Sequence, residues 1–267
     1  MFLGGLIAGI GAAVSGAISC VGGFIGSGIS AVTSAIGGFA SSIGGTLVAG
    51  AKSLASGIAS IGGKLLGSLS ISDVLSGIGL VMGIFTKEDK EDMDDLGCRA
   101  CQSDKKSEDF KSTEEYINHL KNDIEYDRKK AQAEMDENPI KRYAYAAVGA
   151  TITGNAISEK VGLDLGVKGI NTLGLIQRAA PYMTASNFTE FLKNLKSNGW
   201  SDLTAVYEYS AGKGNIDFVK TGKELKGFFS DLSLDPQKSA NIMDDIKAEF
   251  QKTDVERKAE DDKREGK

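Results

Sequence analysis

Ionisable side chains are almost absent from the first third of the chain. Only Lys52, Lys64 and Asp73 carry charge among residues 1–86, and no charged residue occurs from Met1 to Ala51. The same third holds 21 of the 34 glycines, interleaved with Ile, Val, Ala and Ser. A water-exposed domain normally carries ionised groups on its outer faces, so a stretch of this length without charge indicates a membrane or a buried assembly core.

Small residues recur in this region at alternating spacings of four and three. On a helix, such spacing places them along one stripe of period 3.5, while branched aliphatic residues project from the other faces. A stripe of small residues is typical of helices that pack closely inside lipid. The predicted membrane-inserting and helix-packing residues are Gly5, Gly9, Ala12, Gly16, Ser19, Gly23, Gly26, Ser30, Thr33, Gly37, Ala40 and Gly44.

The glycine content favours helices in lipid over helices in water. Each glycine costs a helix in water about 0.8–1 kcal/mol relative to alanine, whereas in hydrocarbon a helix satisfies every backbone amide. Forty helical residues would extend about 60 Å, twice the hydrocarbon thickness of about 30 Å, so the region must turn. We therefore expect apolar helical hairpins, with Gly44-Gly45 as one candidate turn, and a further short helix capped by Ser72.

Composition changes abruptly after Thr86. Residues 87–111 are rich in both acids and bases, which predicts a charged, solvated linker. Within it, Cys98 and Cys101 have the spacing of a redox or metal motif, but a second pair of zinc ligands is missing and we expect no metal site. Two interpretations stay open for these cysteines: a disulfide or redox pair, and an incidental pair of thiols.

The sequence pattern of residues 112–250 predicts a soluble helical domain, and that of residues 251–267 predicts a charged tail. A capping box at 112–115 begins a helix that we expect to reach about Glu137, and Asn138-Pro139 starts the next, which we expect to be buried in a helical core. Later helices are predicted over 215–229 and after the caps Asn187, Ser201 and Asp235. No alternating strand pattern occurs, so the predicted fold is all-α, with Gly/Ala-rich apolar helical hairpins followed by the helical domain.

Charge and motifs argue against several classes of function. A net charge of −5 disfavours binding of nucleic acid through bulk charge, and we expect no sequence-specific nucleic-acid partner. The chain has no G-x-S-x-G motif, and His119 is its single histidine, which removes most nucleophile–histidine relays. We therefore expect a protein that is not an enzyme, needs no cofactor, and carries His119 as an ordinary polar residue on a helix face.

The stripe from Gly5 to Gly44, the missing charges and the acidic helical remainder resemble the glycine-zipper regions of bacterial membrane-permeabilising toxins, including effectors delivered by contact-dependent secretion machines. The resemblance implies a secreted or injected protein that travels in a soluble, carrier-bound form and then inserts into a target-cell membrane as a pore-forming oligomer. Its implied partners are the lipid bilayer, further copies of itself, and a chaperone, carrier or immunity protein.

Two other functions stay open. The same residues resemble the Gly/Ala-rich N-termini of phage proteins that leave the virion and build a conduit for DNA. Alternatively, the chain is a non-enzymatic structural or assembly protein whose apolar arm is buried by partner subunits or by a chaperone, without contact with lipid.

Overall fold

The computed structural model describes residues 27–60, 70–86, 93–232 and 234–264. These residues form thirteen α-helices and one short 3₁₀-helix, and the only β-pairing among them is an isolated bridge between Asp164 and Asp202. The predicted all-α fold is confirmed for this part of the chain. The helices are α1 Ser27–Gly38, α2 Ala40–Ile43, α3 Gly45–Ser60, α4 Ser70–Val81, α5 Met93–Gln102, the 3₁₀-helix Ser107–Asp109, α6 Thr113–Asn122, α7 Arg128–Glu137, α8 Pro139–Val161, α9 Gly166–Ala179, α10 Ala185–Ser197, α11 Thr204–Ala211, α12 Phe218–Ser230 and α13 Pro236–Arg264.

Among the described residues, no helix has both the length and the apolar character that a membrane span requires. The arrangement of the apolar helices as membrane hairpins stays a prediction. Stripe positions 5–26 lie outside the described residues, as do residues 61–69 and 87–92.

One apolar core crosses the boundary between the two parts of the sequence. Ile36 of α1, Leu54 of α3 and Leu75 of α4 are almost completely buried, and they belong to the same cluster as residues of α8 to α13. Helix α8 lies at the centre of this cluster, in contact with α1, α3, α4 and α5. The described helices of the apolar region therefore pack against the same chain's helical domain.

Helix α8 has local signals at both ends. The Asn138 side chain accepts the backbone N–H of Lys141, Pro139 occupies the first turn, and Gly162 ends the helix with a left-handed φ of 72°. Ala150 and Gly154, part of its small-residue sequence, are buried. The predicted start of this helix and its burial in a helical core are both confirmed.

The prediction of a solvated linker over residues 87–111 is wrong for residues 93–102, which form the buried helix α5. Asp94 and Asp95 are buried because arginines of later helices pair with them: Arg142 with Asp94 at 3.0 Å, and Arg128 with Asp95 at 2.9 Å. Pairing with an arginine offsets part of the cost of placing a carboxylate away from water.

The helix expected from residue 112 to about Glu137 is interrupted, giving α6 and α7. The Arg99 guanidinium donates to the carbonyl oxygens of Leu120 and Ile124, which lie at and just beyond the end of α6. Asp127 then starts α7 by accepting the backbone N–H of Lys130. A side chain from α5 therefore satisfies carbonyl groups that a continuous helix would have bonded within itself.

Three other predicted starts are displaced. Helix α10 is capped by Thr184, which forms a reciprocal capping box with Asn187, so Asn187 is the third helical residue and not the cap. Helix α11 begins at Thr204, not after Ser201, because the Ser201 carbonyl accepts the backbone N–H of Asp164 and holds that segment extended. Helix α4 begins at Ser70, two residues before the predicted cap Ser72.

The last two helices are close to their predicted positions. Helix α12 begins at Phe218, later than the predicted residue 215, because the Asp217 side chain accepts the backbone N–H groups of Val219 and Lys220. For α13 the predicted cap is confirmed: the Asp235 carboxylate accepts the N–H of Gln237 at 3.0 Å.

Candidate functional site

The described members of the small-residue stripe do not form the face by which α1 packs on the core. Ser30 and Ala40 are exposed, Thr33 and Gly37 are half-buried, and Gly44 is buried. The core-facing positions of α1 are instead the branched residues Val32 and Ile36. Packing through the stripe in an oligomer stays a prediction, and Gly5, Gly9, Ala12, Gly16, Ser19, Gly23 and Gly26 lie outside the described residues.

Glycines of the apolar region contact the helical domain elsewhere. A Cβ placed at Gly50 of α3 would lie 2.8 Å from a methyl carbon of Thr151 in α8. At Gly77 of α4, a Cβ would lie 2.9 Å from the Cβ of Ala185 in α10. Contacts this short leave no room for a side chain, so the backbones of these helices pack directly against the helical domain.

Glu108 links the 3₁₀-helix to the first turn of α3. Its carboxylate accepts the backbone N–H of Thr46 at 3.4 Å and occupies the space that a side chain at Gly44 would need. Burial acts to raise the pKa of Glu108, but hydrogen bonds from its own backbone N–H, Thr46 and Ser107 outweigh it and keep the pKa below the usual value. The stabilisation by this carboxylate is therefore present above the unfolded-state pKa and is lost as the pH falls through the folded-state value.

A buried ionic cluster surrounds the N-terminal turn of α5. The Asp95 carboxylate is fully buried, pairs with Arg128 and accepts the hydroxyl of Tyr126. Burial together with the bond to Asp95 raises the pKa of Tyr126. Arg142 bridges Asp94 and Asp136 at 3.0 and 3.1 Å. The two ion pairs and the Tyr126 hydroxyl connect α5 to α7 and α8, although the buried Asp95 Oδ2 itself accepts no hydrogen bond from the residues that the structure describes.

The two candidate redox cysteines lie on α5 as free thiols, with Cys98 buried and Cys101 half-buried. Desolvation, followed by the charges of Asp95 and Glu134, raises the pKa of Cys98 to about 11. Burial raises the pKa of Cys101 as well. The nucleophilic form of cysteine is the thiolate, so these surroundings favour the interpretation as an incidental pair of thiols.

We expect Cys98 in the folded protein to react roughly a hundredfold more slowly than an unfolded thiol with a disulfide reagent at pH 8. The reason is that a raised pKa lowers the thiolate fraction by about two orders of magnitude. The measurement is stopped-flow thiol titration of a Cys20→Ser/Cys101→Ser variant, with the same protein in denaturant as the control. Equal rates in the two states would contradict the burial of this thiol.

A serine, the single histidine and an aspartate form a hydrogen-bonded series that the sequence analysis missed. Ser103 Oγ lies 3.3 Å from His119 Nε2, and His119 Nδ1 lies 2.8 Å from Asp123 Oδ2. His119 is 8% exposed and its ring packs against Phe110 with centroids 5.1 Å apart, so the prediction of an ordinary polar residue on a helix face is wrong. The sequence signal available was the i, i+4 spacing of His119 on α6 and Asp123, the residue that caps this helix.

The order of these three groups is that of a nucleophilic triad. Their surroundings, however, are not those of a catalytic triad. The Ser103 hydroxyl donates to the Lys105 carbonyl oxygen at 2.8 Å, which turns its proton away from His119. Ser103 is only 5% exposed, whereas the Asp123 side chain is 63% exposed, the reverse of a triad with an accessible nucleophile and a buried carboxylate. This geometry joins the end of α5 to α6.

Within the described ranges, no group of three or more His, Cys, Asp or Glu residues is arranged to hold a metal ion. No family model, curated protein or solved structure matches this chain.

Proposed function

We propose that this chain is a non-enzymatic, membrane-permeabilising protein that keeps part of its apolar region folded against its own helical domain until it meets a bilayer. The observation that carries the proposal is the uncharged sequence from Met1 to Ala51. A region without ionised groups can leave water for hydrocarbon without the large cost of transferring a charge. Its partners would be the lipid bilayer and further copies of itself, and the protein would be secreted or injected by the cell that makes it.

The packing of α1 and α3 is compatible with this role. Their core contacts come from aliphatic side chains, including Ala51 and Ala55 of α3, and those of α3 also from the bare backbone at Gly50. Such contacts have no fixed direction, and lipid chains could replace them with little change in the environment of each side chain. Helices α1, α3 and α4 would separate from the helical domain at the bilayer, and the small-residue stripe from Gly5 to Gly44 would then form the contacts between copies.

Replacing Gly16 and Gly23 together by leucine should reduce dye leakage from liposomes by roughly tenfold or more, because the larger side chains keep the packed helices apart. The measurement is release of a quenched dye by the full chain. Residues 110–250 should stay folded, as reported by the fluorescence of Trp200, whose ring packs edge-on against Phe228 with centroids 5.9 Å apart.

The matched control is the Gly38→Leu/Gly45→Leu variant, which adds the same two side chains off the stripe. Among the described residues, no atom of another part of the chain lies within 4 Å of a Cβ at either position, so this variant should fold and leak dye as the unmodified chain does. Unchanged leakage from the Gly16→Leu/Gly23→Leu variant would contradict the predicted role of the stripe. No leakage from the unmodified chain would contradict the proposed function itself.

One observation favours the second candidate, a structural or assembly protein whose apolar arm is covered by protein. Leu75 and Ile78 of α4 are already fully buried by helices of the same chain, without lipid. Under this function, the remaining apolar surface would bind partner subunits. The chain would then assemble into particles of defined size in the absence of lipid, as measured by light scattering, and would leave liposomes intact.

A further inference from the structure

Helix α12 has one face in the core and one face in water. Its buried face consists of Thr221, Leu225, Phe228 and Phe229. The opposite face carries three lysines at intervals of three residues, together with an exposed valine. We name this surface the α12 basic face, and its residues are Val219, Lys220, Lys223 and Lys226.

One strongly exposed apolar side chain, that of Val219, lies at the start of this face. Val219 is 85% exposed, and its neighbour Phe218 is 36% exposed, with its ring beside that of Tyr209 at a centroid distance of 6.1 Å. In the described part of the chain only two other large hydrophobic residues, Leu80 and Val81, are exposed to this degree. At a membrane interface, an aliphatic side chain of this kind enters the acyl boundary while lysines beside it reach the headgroups.

The positive charge of this face is only partly neutralised within the chain. The Asp217 carboxylate, which caps α12, adds one negative charge beside its first turn, and Glu224 pairs with Lys220 at 3.9 Å, so the three lysines still outnumber the acids. Among the described residues, Lys223 and Lys226 form no ion pair. In a chain with a net charge of −5, this surface therefore has the opposite sign to the protein as a whole.

We propose that the α12 basic face docks the protein on a bilayer surface that contains anionic lipids. Each lysine close to such a surface strengthens binding by roughly fivefold, and Val219 would enter the boundary between headgroups and acyl chains. The inference rests on the proposed function, because it takes a bilayer as the target. A nucleic acid or an acidic protein would use the lysines but would gain little from the exposed valine, and for this reason we favour lipid.

The experiment measures partition of the full chain onto vesicles of phosphatidylcholine alone and of phosphatidylcholine and phosphatidylserine in equal parts, by flotation. The unmodified chain should bind the anionic vesicles more tightly, and added salt should weaken the binding. A Lys220→Gln/Lys223→Gln/Lys226→Gln variant should lose affinity on the order of 100-fold. A Val219→Ser variant should lose roughly tenfold, because one buried aliphatic side chain is removed from the interface.

The matched control is a Lys129→Gln/Lys130→Gln/Lys193→Gln variant, which removes three exposed lysines from α7 and α10. Its affinity should change by less than about twofold, since these residues lie on other helices. All substituted side chains are exposed, so far-ultraviolet circular dichroism should show unchanged folding in every variant.

Equal loss of binding in the two lysine variants would overturn the proposal, because bulk charge alone would then explain the affinity. Two results together would assign the face to a soluble polyanion instead. The Val219→Ser variant would bind anionic vesicles with full affinity, and the unmodified chain would bind heparin as tightly as it binds those vesicles. Binding to anionic vesicles without dye release would support the docking face while contradicting the proposed permeabilising function. Dye release that the lysine substitutions in α12 leave unchanged would support the permeabilising function and contradict the docking face.

Discussion

A disulfide between residues 77 and 185 should abolish dye release from liposomes, and its reduction should restore release. In a Gly77→Cys/Ala185→Cys variant the bond would join α4 of the apolar region to α10 of the helical domain. A Cβ at Gly77 lies 2.9 Å from that of Ala185, so a small outward shift gives the spacing that a disulfide needs. Closing a loop of about 100 residues stabilises the closed state by about 3–5 kcal/mol, which lowers the open population at least roughly a hundredfold.

The native cysteines Cys20, Cys98 and Cys101 would be replaced by alanine in this variant, so that one disulfide can form. The control is a Gly169→Cys/Leu203→Cys pair within the helical domain, where the two Cβ positions are 3.5 Å apart. Because this bond joins no part of the apolar region to the helical domain, its oxidation should leave dye release unchanged. Equal release from oxidised and reduced Gly77→Cys/Ala185→Cys protein would show that separation of α4 from α10 is not required.

Replacement of Gly97 by alanine should destabilise the protein by about 3 kcal/mol or more. A Cβ at Gly97 in α5 would overlap the backbone carbonyl of Tyr145 in α8, and one at Gly149 in α8 would overlap the carbonyl of Met93. The two helices therefore cross with their backbones in contact, and only a shift of a whole helix could make room. The measurement is the free energy of unfolding in urea, followed by circular dichroism and by Trp200 fluorescence.

The control for this change is Gly227→Ala on the exposed side of α12. In the part of the chain that the structure describes, no atom outside the surrounding helical backbone lies within 4 Å of a Cβ at Gly227, so this substitution should stabilise the protein by about 0.5–1 kcal/mol through helix propensity alone. A Gly97→Ala protein with normal stability would mean that α5 does not pack on α8 as the structure has it, and the interpretation of the ionic cluster around Asp95 would then be wrong as well.

The helices that sequence analysis predicted best are those whose ends depend on neighbouring residues. Asn138-Pro139 and Asp235-Pro236 act within one helical turn of themselves, and both begin helices as predicted. The absence of an alternating strand pattern also led correctly to an all-helical fold for the residues that the structure describes. Packing of helices through the stripe inside a lipid bilayer stays a prediction, because it concerns the protein in lipid and not the chain folded in water.

The features that sequence analysis missed depend on residues far apart along the chain. Helix α5 resembles a solvated linker because its carboxylates look exposed until Arg142, 48 residues beyond Asp94, is placed beside them. The break between α6 and α7 likewise needs Arg99, which is 25 residues before the Ile124 carbonyl that it binds. A local pattern of acids does not show whether a distant arginine pairs with them, so local sequence patterns cannot predict long-range ion pairs.

The shared core has a consequence for how the protein is made. Ile36 of α1 is synthesised more than a hundred residues before Ile157 and Ile176 of α8 and α9, which belong to the same core. The ribosome adds roughly 5–20 residues per second, so on the order of ten seconds pass between synthesis of the apolar helices and synthesis of the helices that bury them. During that interval they are exposed apolar segments of the nascent chain. A factor bound at the ribosome would protect them from aggregation until the later helices bury them.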